Sequence, residues 1–238
     1  MILKPPKGTL IQRGHPFVRG LVGCWLMNEG GGNIVNDLSG NGKNITLYNM
    51  TPPSGGWTSC KDGPCVKFDY SNDYGITEAP FPAFGLGDFT ICVRFMAYGS
   101  HNTNNTIISQ GTYDDGWLVY NTSTNWRFYI EGLTAEITSP GSEYSRHTTF
   151  TIMRKNDVLY WYADSILQPW RSGQDDISGA SLNMDATYGV RVGARGTGSP
   201  ERYFDGEISF AYFWHRGLTD SEIAYLCRNP FCMFGEEM

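Results

Sequence analysis

The sequence predicts an all-β protein in which two antiparallel sheets pack face to face and one short helix follows near the C-terminus. Three observations lead to this prediction. The 238 residues include 29 glycines and 12 prolines, and 14% are aromatic while only 18% are charged, a composition that suits many strands and tight turns. Strand-like runs recur at short spacing with turn residues between nearly all of them. No helical pattern of roughly 10–15 residues separates them, which disfavours a parallel α/β sheet.

The N-terminal residues 1–19 predict an extended basic arm without a core of its own. Three prolines and two glycines lie here beside Lys4, Lys7, Arg13 and Arg19. One domain is then expected over residues 20–230, because no linker or block of charge divides it. An apolar tail covers residues 231–238.

Alternating and aromatic runs predict the strands of the sandwich. They cover residues 21–27, 45–48, 66–70, 89–95, 106–109, 117–120, 126–130, 150–154, 158–162, 188–192 and 204–214. In residues 89–95 the large side chains alternate, so Phe89, Ile91, Val93 and Phe95 are expected on one face against a core. Asn156-Asp157 predicts a turn between two antiparallel strands.

The C-terminal helix is predicted from a capping box. The hydroxyl of Thr219 can accept from the third helical N–H while Glu222 reaches back to the cap. Ile223 and Leu226 then supply an apolar stripe, and Pro230 ends the helix.

Charge and hydropathy exclude two classes of partner. The formal net charge is −6, and no basic stripe is visible, so a nucleic-acid partner is not expected. No stretch approaches the roughly 20 apolar residues that span a bilayer. The first residues also lack the apolar core of a secretion signal, so we expect a protein made in the cytoplasm or one without its leader.

The six cysteines leave their redox state open. Cys60 and Cys65, like Cys227 and Cys232, are spaced to close a short loop. The other two cysteines lie in strand-like runs and are expected as small buried side chains. Free or mixed thiols are favoured over a full disulfide framework. Zinc is disfavoured, because the second pair has no nearby histidine except His215, which lies in a strand-like run.

Three stretches together carry a family resemblance. Residues 20–32, residues 37–42, and residues 204–208 running into 216–223 occur in the order found in laminin-G-like jelly rolls. The chain is therefore similar to the laminin-G-like members of the concanavalin A-like lectin and glucanase fold. The resemblance implies a two-sheet antiparallel jelly-roll sandwich over nearly the whole domain.

Two turns depart from that family pattern, and the arm carries a second resemblance. Tyr70 and Ser165 stand where the family usually has glycine. The end of the arm, residues 14–20, resembles the openings of virus-encoded members, especially those of tailed phages. The resemblance implies a component of a virion.

The sequence offers no group set for catalysis. Glycan-cleaving enzymes of this fold place carboxylates on one strand as Glu-x-Asp-x-Glu or a near variant, and no such run occurs. The adjacent aspartates at 114–115 and 175–176 would point to opposite faces of a strand and lie in turn-like sequence. A nucleophile elbow and a phosphate-binding loop are also missing.

Calcium is the candidate cofactor. Residues 37–42 offer carboxylate, amide and backbone oxygens in a glycine-softened loop, as hard cations require. By the resemblance, Asp37 and Asn41 are the expected ligands, joined by Asp205 and Glu29 from neighbouring strands. The alternative is that Asp37 and Asn41 brace the turn through side-chain to backbone bonds.

Aromatic rings are the candidate glycan contacts. A ring face open to solvent can stack on the apolar side of a sugar. Tyr113, Trp117 and Trp170 are expected to be loop-borne and are favoured over the strand-embedded tryptophans Trp25, Trp161 and Trp214. Ordinary core packing is the alternative for each of them.

These observations predict a non-catalytic structural or recognition module, in a virion surface or assembly protein. Its partners would be glycans, other virion or surface proteins, or a second copy of the chain, and it would act on the virion or outside the cell. In a virion protein we expect the arm and the tail to dock into a neighbour rather than onto their own domain. A calcium-dependent lectin and a glycoside hydrolase or lyase of the same fold are the alternatives.

Overall fold

The computed structural model describes residues 2–78, 80–81, 84–85, 87–98, 105–111, 116–122, 125–130, 133–138, 146–170, 188–196 and 199–235, with residues 133–138 described by their backbone. In these residues the chain forms two antiparallel sheets, called sheet I and sheet II, and one α-helix. The predicted all-β sandwich with a short C-terminal helix is confirmed. No helix in these ranges combines the length and the apolar character needed to cross a membrane.

Sheet I is built from strands numbered in chain order along the whole sequence. From edge to edge it contains β14 (Ile166–Leu167), β13 (Val158–Ala163), β12 (Thr148–Lys155), β7 (Phe89–Ala97), β16 (Asp205–Trp214), β5 (Gly63–Asp69) and β4 (Gly56–Cys60). β1 (Leu21–Trp25) pairs with the C-terminal half of β16. β16 is therefore the strand that joins three neighbours.

Sheet II faces the inner side of sheet I. From edge to edge it contains β11 (Leu133–Thr138), β10 (Asn125–Ile130), β9 (Gly116–Asn121), β8 (Thr106–Gly111), β15 (Val190–Val192), β6 (Tyr74–Thr77), β3 (Ile45–Tyr48) and β2 (Ile34–Val35). Neighbouring strands come from distant parts of the chain at β8–β15 and β15–β6, so the sheet order is not the chain order.

The core between the sheets is aromatic. Phe89, Ile91, Val93 and Phe95 are fully buried in it, which confirms the predicted alternation in β7. The ring of Phe95 meets Phe150 edge to face at a centroid distance of 4.8 Å. Such pairs add about 0.5–1.5 kcal/mol beyond the area that they bury.

A second apolar cluster covers part of the outer face of sheet I. The helix α1 (Asp220–Arg228) lies here, and its capping box is confirmed by reciprocal bonds between Thr219 and Glu222. Ile223 and Leu226 are buried, as predicted. The outward side chains of the sheet that belong to the same cluster include Leu21, Cys24, Cys92, Met153, Tyr162, Phe210, Tyr212 and Trp214.

The arm and the tail pack onto their own domain. Phe17 is 4% exposed and belongs to this second apolar cluster. Ile11 forms a β-bridge with Phe234 of the tail, and the Gln12 N–H donates to the carbonyl of Met233 at 2.8 Å. The structure corrects the expectation that both ends are reserved for a neighbour, because each buries apolar side chains against the other.

The turns that depart from the family pattern keep a glycine-like backbone. Tyr70 has a φ of 66° and Ser165 a φ of 67°, the left-handed region that glycine adopts at lowest cost. Asn156 and Asp157 also have positive φ and join β12 to β13 in the predicted antiparallel hairpin. Both turns therefore have the backbone geometry that glycine favours, although neither residue is glycine.

Candidate functional site

The loop predicted to hold calcium is closed by its own hydrogen bonds. Oδ1 of Asp37 accepts from the backbone N–H groups of Cys24 at 3.0 Å and Ser39 at 2.9 Å. Oδ2 accepts from the Ser39 hydroxyl at 2.8 Å and the Lys43 N–H at 3.0 Å. These four donors face the lone pairs that a cation would use, so the geometry favours the alternative in which Asp37 braces the turn.

Two other predicted ligands also have partners nearby. Nδ2 of Asn41 donates to the Ser39 hydroxyl at 3.0 Å and extends the same brace. Oε1 of Glu29 accepts from the backbone N–H of Asn36 at 2.8 Å and from its side-chain amide at 2.9 Å. The side-chain amide of Asn41 and Oε1 of Glu29 therefore each hold a loop in place.

Asp205 lies far from this loop. Asp37 is bonded to Cys24, and Cys24 pairs with Tyr212 near the C-terminal end of β16. Asp205 is the first residue of β16, and the extended strand between it and Tyr212 spans roughly 20 Å. The structure corrects the expectation that Asp205 approaches the loop. Calcium at Asp37 and Asn41 stays a prediction.

Trp117 is the predicted glycan contact that the structure places in the core. It lies in β9 and is fully buried. Its Nε1 donates to Oε1 of Gln110 at 3.0 Å, and its ring lies 5.6 Å from that of Phe213. An indole without an exposed face cannot stack on a ligand, so the core-packing alternative holds for Trp117.

The remaining aromatic residues fall into three groups: fully buried, outside the described residues, and partly buried. Trp25, Trp161 and Trp214 are fully buried, as expected for strand-embedded rings. Tyr113 lies outside the described residues, as do the aspartate pairs at 114–115 and 175–176. Trp170 is only partly buried and packs with one side against the core.

Trp170 lines a groove at the edge of sheet I, which we call the edge groove. The groove has a volume of about 420 Å³. The side chains and backbone that line it belong to Val158, Leu159, Tyr160, Leu167, Gln168, Pro169 and Trp170. Its lining is mostly apolar and aromatic, with one amide and one phenol, which is the composition of many small-ligand sites.

Local sequence builds the edge groove. The positive φ values of Asp164 and Ser165 turn β13 back into the short strand β14. The chain then continues along the sheet edge, where the Gln168 N–H donates to the carbonyl of Trp161 at 2.8 Å. Nε1 of Trp170 donates to the carbonyl of Leu159 at 3.0 Å. This bond fixes the indole at the rim of the groove.

A second pocket lies on the outer face of sheet I, beside the apolar cluster under α1. This polar pocket has a volume of about 590 Å³. Its lining residues are Ser59, Cys60, Lys61, Arg94, Met96, Arg146, His147, Asp164 and Glu207. Unlike the edge groove, it is dominated by charged groups.

Four potential metal ligands meet at the polar pocket. Cys60 and Cys65 lie on the β4–β5 hairpin, where they form a disulfide. His147 directly precedes β12, and Glu207 lies in β16. One ligand atom from each of these four residues lies within 4.8 Å of the other three.

Burial sets the charge of the groups around the polar pocket. Desolvation lowers the pKa of His147 to about 4, against the opposing effect of nearby Asp62, so the imidazole is neutral at pH 7. Nε2 of His147 lies 3.4 Å from Oε2 of Glu207, and the neutral ring makes this contact no ion pair at that pH. Burial also lowers the pKa of Lys4 to about 8.

A network of charged groups lies beside Arg94 of the polar pocket, with Asp62 and Lys4 buried and Arg94 partly buried. Oδ2 of Asp62 accepts from the Ser209 hydroxyl at 2.8 Å and lies 3.3 Å from Nε of Arg94. The ammonium of Lys4 donates to the carbonyls of Pro64 and Ser209. Because removal of one partner would leave a buried charge unpaired, this network holds the arm and the β4–β5 turn to the sheet.

Comparison with known proteins shows the fold. No family model matches the sequence, and no curated protein matches it as a relative. Among solved structures, the binding domain of Paraclostridial Mosquitocidal Protein 1 superposes with a TM-score of 0.66 at 15% identity, covering 90% of this chain and 53% of the other. The binding domain of Botulinum neurotoxin DC, in complex with rat synaptotagmin II, gives 0.58 at 13% identity, with 88% and 51% covered.

An enzyme is also among the structural neighbours. Trypanosoma rangeli sialidase superposes with a TM-score of 0.64 at 14% identity, covering 90% of this chain and 33% of the sialidase. The chain therefore spans about half of the two toxin domains and about a third of the sialidase. At these identities the likeness shows a shared β-sandwich fold and leaves the ligand open.

Sequence reasoning missed the cluster at the polar pocket. The spacing of Cys60 and Cys65 indicates that they can approach each other, but it does not identify a histidine or a carboxylate beside them. His147 reaches the first pair because β12, β7, β16 and β5 are neighbours in sheet I. That order is set by the whole fold and leaves no local signal in the sequence.

Proposed function

We propose that this chain is a non-catalytic recognition module that binds a glycan in the edge groove. The observation that carries the proposal is Trp170, a partly exposed indole held at the groove rim by its bond to Leu159. A ring with a fixed orientation loses little conformational entropy when a sugar stacks on it. Tyr160 and Gln168 add a phenol and an amide for polar contacts with hydroxyl groups.

The lining of the edge groove supports binding over hydrolysis. Glycoside hydrolysis uses two carboxyl groups about 5–9.5 Å apart, one on each side of the scissile bond. Among the residues that the structure describes, none that lines the groove is acidic, and the sequence lacks the carboxylate run of the glycan-cleaving members. Sialidase activity belongs to a protein of which this fold covers about a third.

The structural neighbours support a binding role in general terms. Two of them are binding domains of toxins, and one is bound to rat synaptotagmin II. A β-sandwich of this kind can present rigid edges and loops to a partner without carrying out chemistry. A broad glycan panel is therefore the appropriate probe.

Glycan binding is tested on an array with the full chain and three variants. We expect defined glycan hits for the wild type, and a loss of at least tenfold in affinity for Trp170→Ala and Tyr160→Ala. Tyr48→Ala, which removes a 43% exposed aromatic ring on sheet II, is the matched control and should bind like the wild type. Absence of hits, or equal loss in the control, would overturn the proposal.

We also propose a docking surface for a protein partner, favoured by exposed apolar residues around the arm. Leu3 is 64% exposed, Leu10 81% and Tyr225 50%. A pocket of about 580 Å³ lies between the arm, α1 and the tail. The resemblance of the arm to virus-encoded members supports a virion or surface protein as this partner, and a location on a virion or outside the cell.

The docking surface is tested with the double variant Leu3→Glu, Leu10→Glu, which is compared with the wild type for partner binding and for its mass in solution. Both side chains are exposed, so the variant should fold and melt like the wild type. We expect reduced binding to the proteins that co-purify with the chain in its native particle, or a shift from oligomer to monomer by light scattering. Unchanged partner binding and unchanged mass would contradict this surface.

Calcium at Asp37 and Asn41 is a further proposal supported by the resemblance. It is tested by the melting temperature of the disulfide-bonded protein with calcium and with excess chelator. A lower melting temperature in chelator would support calcium. An unchanged curve would assign Asp37 to the brace formed with Cys24, Ser39 and Lys43.

A further inference from the structure

We propose that Cys60, Cys65, His147 and Glu207 form a zinc site when the two cysteines are reduced. The cluster lies on the outer face of sheet I and combines two thiols, an imidazole and a carboxylate. Zn²⁺ takes these ligand types in tetrahedral sites. The disulfide and the zinc complex are then two alternative states of one site.

The distances fit a tetrahedral metal. With Zn–S near 2.3 Å and Zn–N or Zn–O near 2.0–2.1 Å, the edges of the tetrahedron run from about 3.3 Å between N and O ligands to about 3.8 Å between two sulfurs. Sγ of Cys60 lies 3.1 Å from Oε2 of Glu207, and Nε2 of His147 lies 3.4 Å from the same oxygen. Opening the disulfide lets the two sulfurs move from bonding distance to about 3.8 Å apart, which needs a shift of about 1 Å in each cysteine side chain.

The imidazole is an unused ligand. The His147 side chain is 8% exposed, and its Nε2 is buried without a hydrogen-bond partner. Buried polar nitrogens are normally bonded, so an unpaired one that faces a carboxylate and two sulfurs points to a missing ligand. A cation between Nε2 and Oε2 would satisfy both atoms.

The surroundings orient the carboxylate and balance its charge. The hydroxyl of Tyr98 donates to Oε1 of Glu207 and leaves Oε2 directed at the cluster, as second-sphere groups do at zinc sites. Two thiolates, one carboxylate and Zn²⁺ carry a net charge of −1. Lys4 and Arg94 lie close enough to influence His147 electrostatically and offset that charge.

The conversion between the two states is balanced. A thiol reductant transfers two electrons and two protons to the disulfide, which gives two protein thiols while the reductant becomes its own disulfide. Zn²⁺ then replaces the two thiol protons, which leave to solvent. The metal would join the β4–β5 hairpin to β16 and to the start of β12, in place of the covalent link within the hairpin.

Zinc binding is tested with the full chain, reduced by a phosphine and freed of it without air. Zn²⁺ alone is titrated against a chromogenic chelator, and Co²⁺ is used as the spectroscopic probe. We expect one Zn²⁺ per chain, a tetrahedral Co²⁺ spectrum with thiolate charge transfer, and binding at least 100-fold weaker in the disulfide form.

Variants locate the metal. His147→Gln keeps both cysteines and should weaken zinc binding 10–100-fold, whereas His215→Gln should bind like the wild type. Cys227→Ser, Cys232→Ser removes the other pair with the same spacing and should also retain the metal. If reduction unfolds the chain, addition of zinc should restore the folded spectrum.

Any one of the following results would overturn the proposal. They are no stoichiometric zinc in the reduced chain, equal affinity in the disulfide form, loss of zinc with the Cys227 and Cys232 variant, and an unfolded reduced chain that zinc does not restore. Unchanged affinity in His147→Gln would count equally against it.

Discussion

The two halves of the outer face of sheet I differ in what covers them. The apolar half presents side chains such as Tyr212 and Trp214 and is covered by α1, the arm and the tail. The polar half presents Arg94 and Glu207 around an open pocket. Strands β7 and β16 contribute side chains to both halves. The covering segments therefore determine which of these side chains pack in the apolar cluster and which line the open polar pocket.

The two cysteine pairs follow this division. Cys60 and Cys65 lie on facing strands of a hairpin, with Cα atoms 5.8 Å apart, beside the polar pocket. Cys227 lies in the last turn of α1, and Cys232 lies two residues after Pro230. Both are free thiols. Equal sequence spacing therefore produces different chemistry, because the hairpin holds one pair together and the helix end separates the other.

The largest effect is expected in the apolar half. Phe17→Ala removes a ring that stacks on Tyr225 and packs near Trp214, and should lower the free energy of unfolding by about 3–4 kcal/mol. Leu10→Ala, on the same arm but 81% exposed, is the control and should change it by less than about 0.5 kcal/mol. Denaturant unfolding measures both. Equal small effects would mean that the arm is not part of the fold.

A smaller loss is expected in the polar half. Asp62→Ala leaves the buried Lys4 and the partly buried Arg94 without their carboxylate, and should cost about 2–3 kcal/mol. Arg146→Ala, whose side chain is 54% exposed, should cost less than about 1 kcal/mol. If the Asp62→Ala variant is as stable as the wild type in chemical denaturation, the network does not contribute to the free energy of unfolding.

The sequence was sufficient where the signal is local. The capping box at Thr219 and the alternation in β7 are fixed by neighbouring residues, and both predictions are confirmed. β6 was missed because Gly75 interrupts its pattern. A Cβ at Gly75 would lie 2.6 Å from Cγ2 of Ile45, so the glycine is required by a neighbouring strand that the local sequence does not identify.

The candidate sites were less predictable, because they depend on sheet order. Trp117 and Trp170 are both predicted as loop-borne glycan contacts, but Trp117 is buried in β9, and Asp205 lies at the far end of β16 from Asp37. Ring exposure and the approach of distant strands follow from packing of the whole sandwich. His147 and Glu207 meet for the same reason.

The stability of the polar half is also expected to depend on pH. The folded pKa of His147, about 4, lies below its usual value of 6.5, so the unfolded chain takes up the proton first as pH falls. The disulfide-bonded protein should therefore lose stability between about pH 6.5 and pH 4. The groups facing His147 are Asp62, Arg94, Lys4 and Glu207.

His147→Gln isolates this contribution. The unfolding free energy of the wild type minus that of the variant should fall steadily as the pH falls from about 6.5 to 4. The contributions of carboxylates that both proteins share cancel in this difference. Urea unfolding at a series of pH values measures it. A difference that stays constant with pH would mean that His147 titrates normally and is not buried.

The most direct test of the division between the two halves is anomalous diffraction at the zinc edge, from crystals of the reduced, zinc-loaded chain. We expect one strong peak between Cys60, Cys65, His147 and Glu207, and none beside Cys227 and Cys232. A peak at the second cysteine pair, or no ordered zinc in either half, would contradict it.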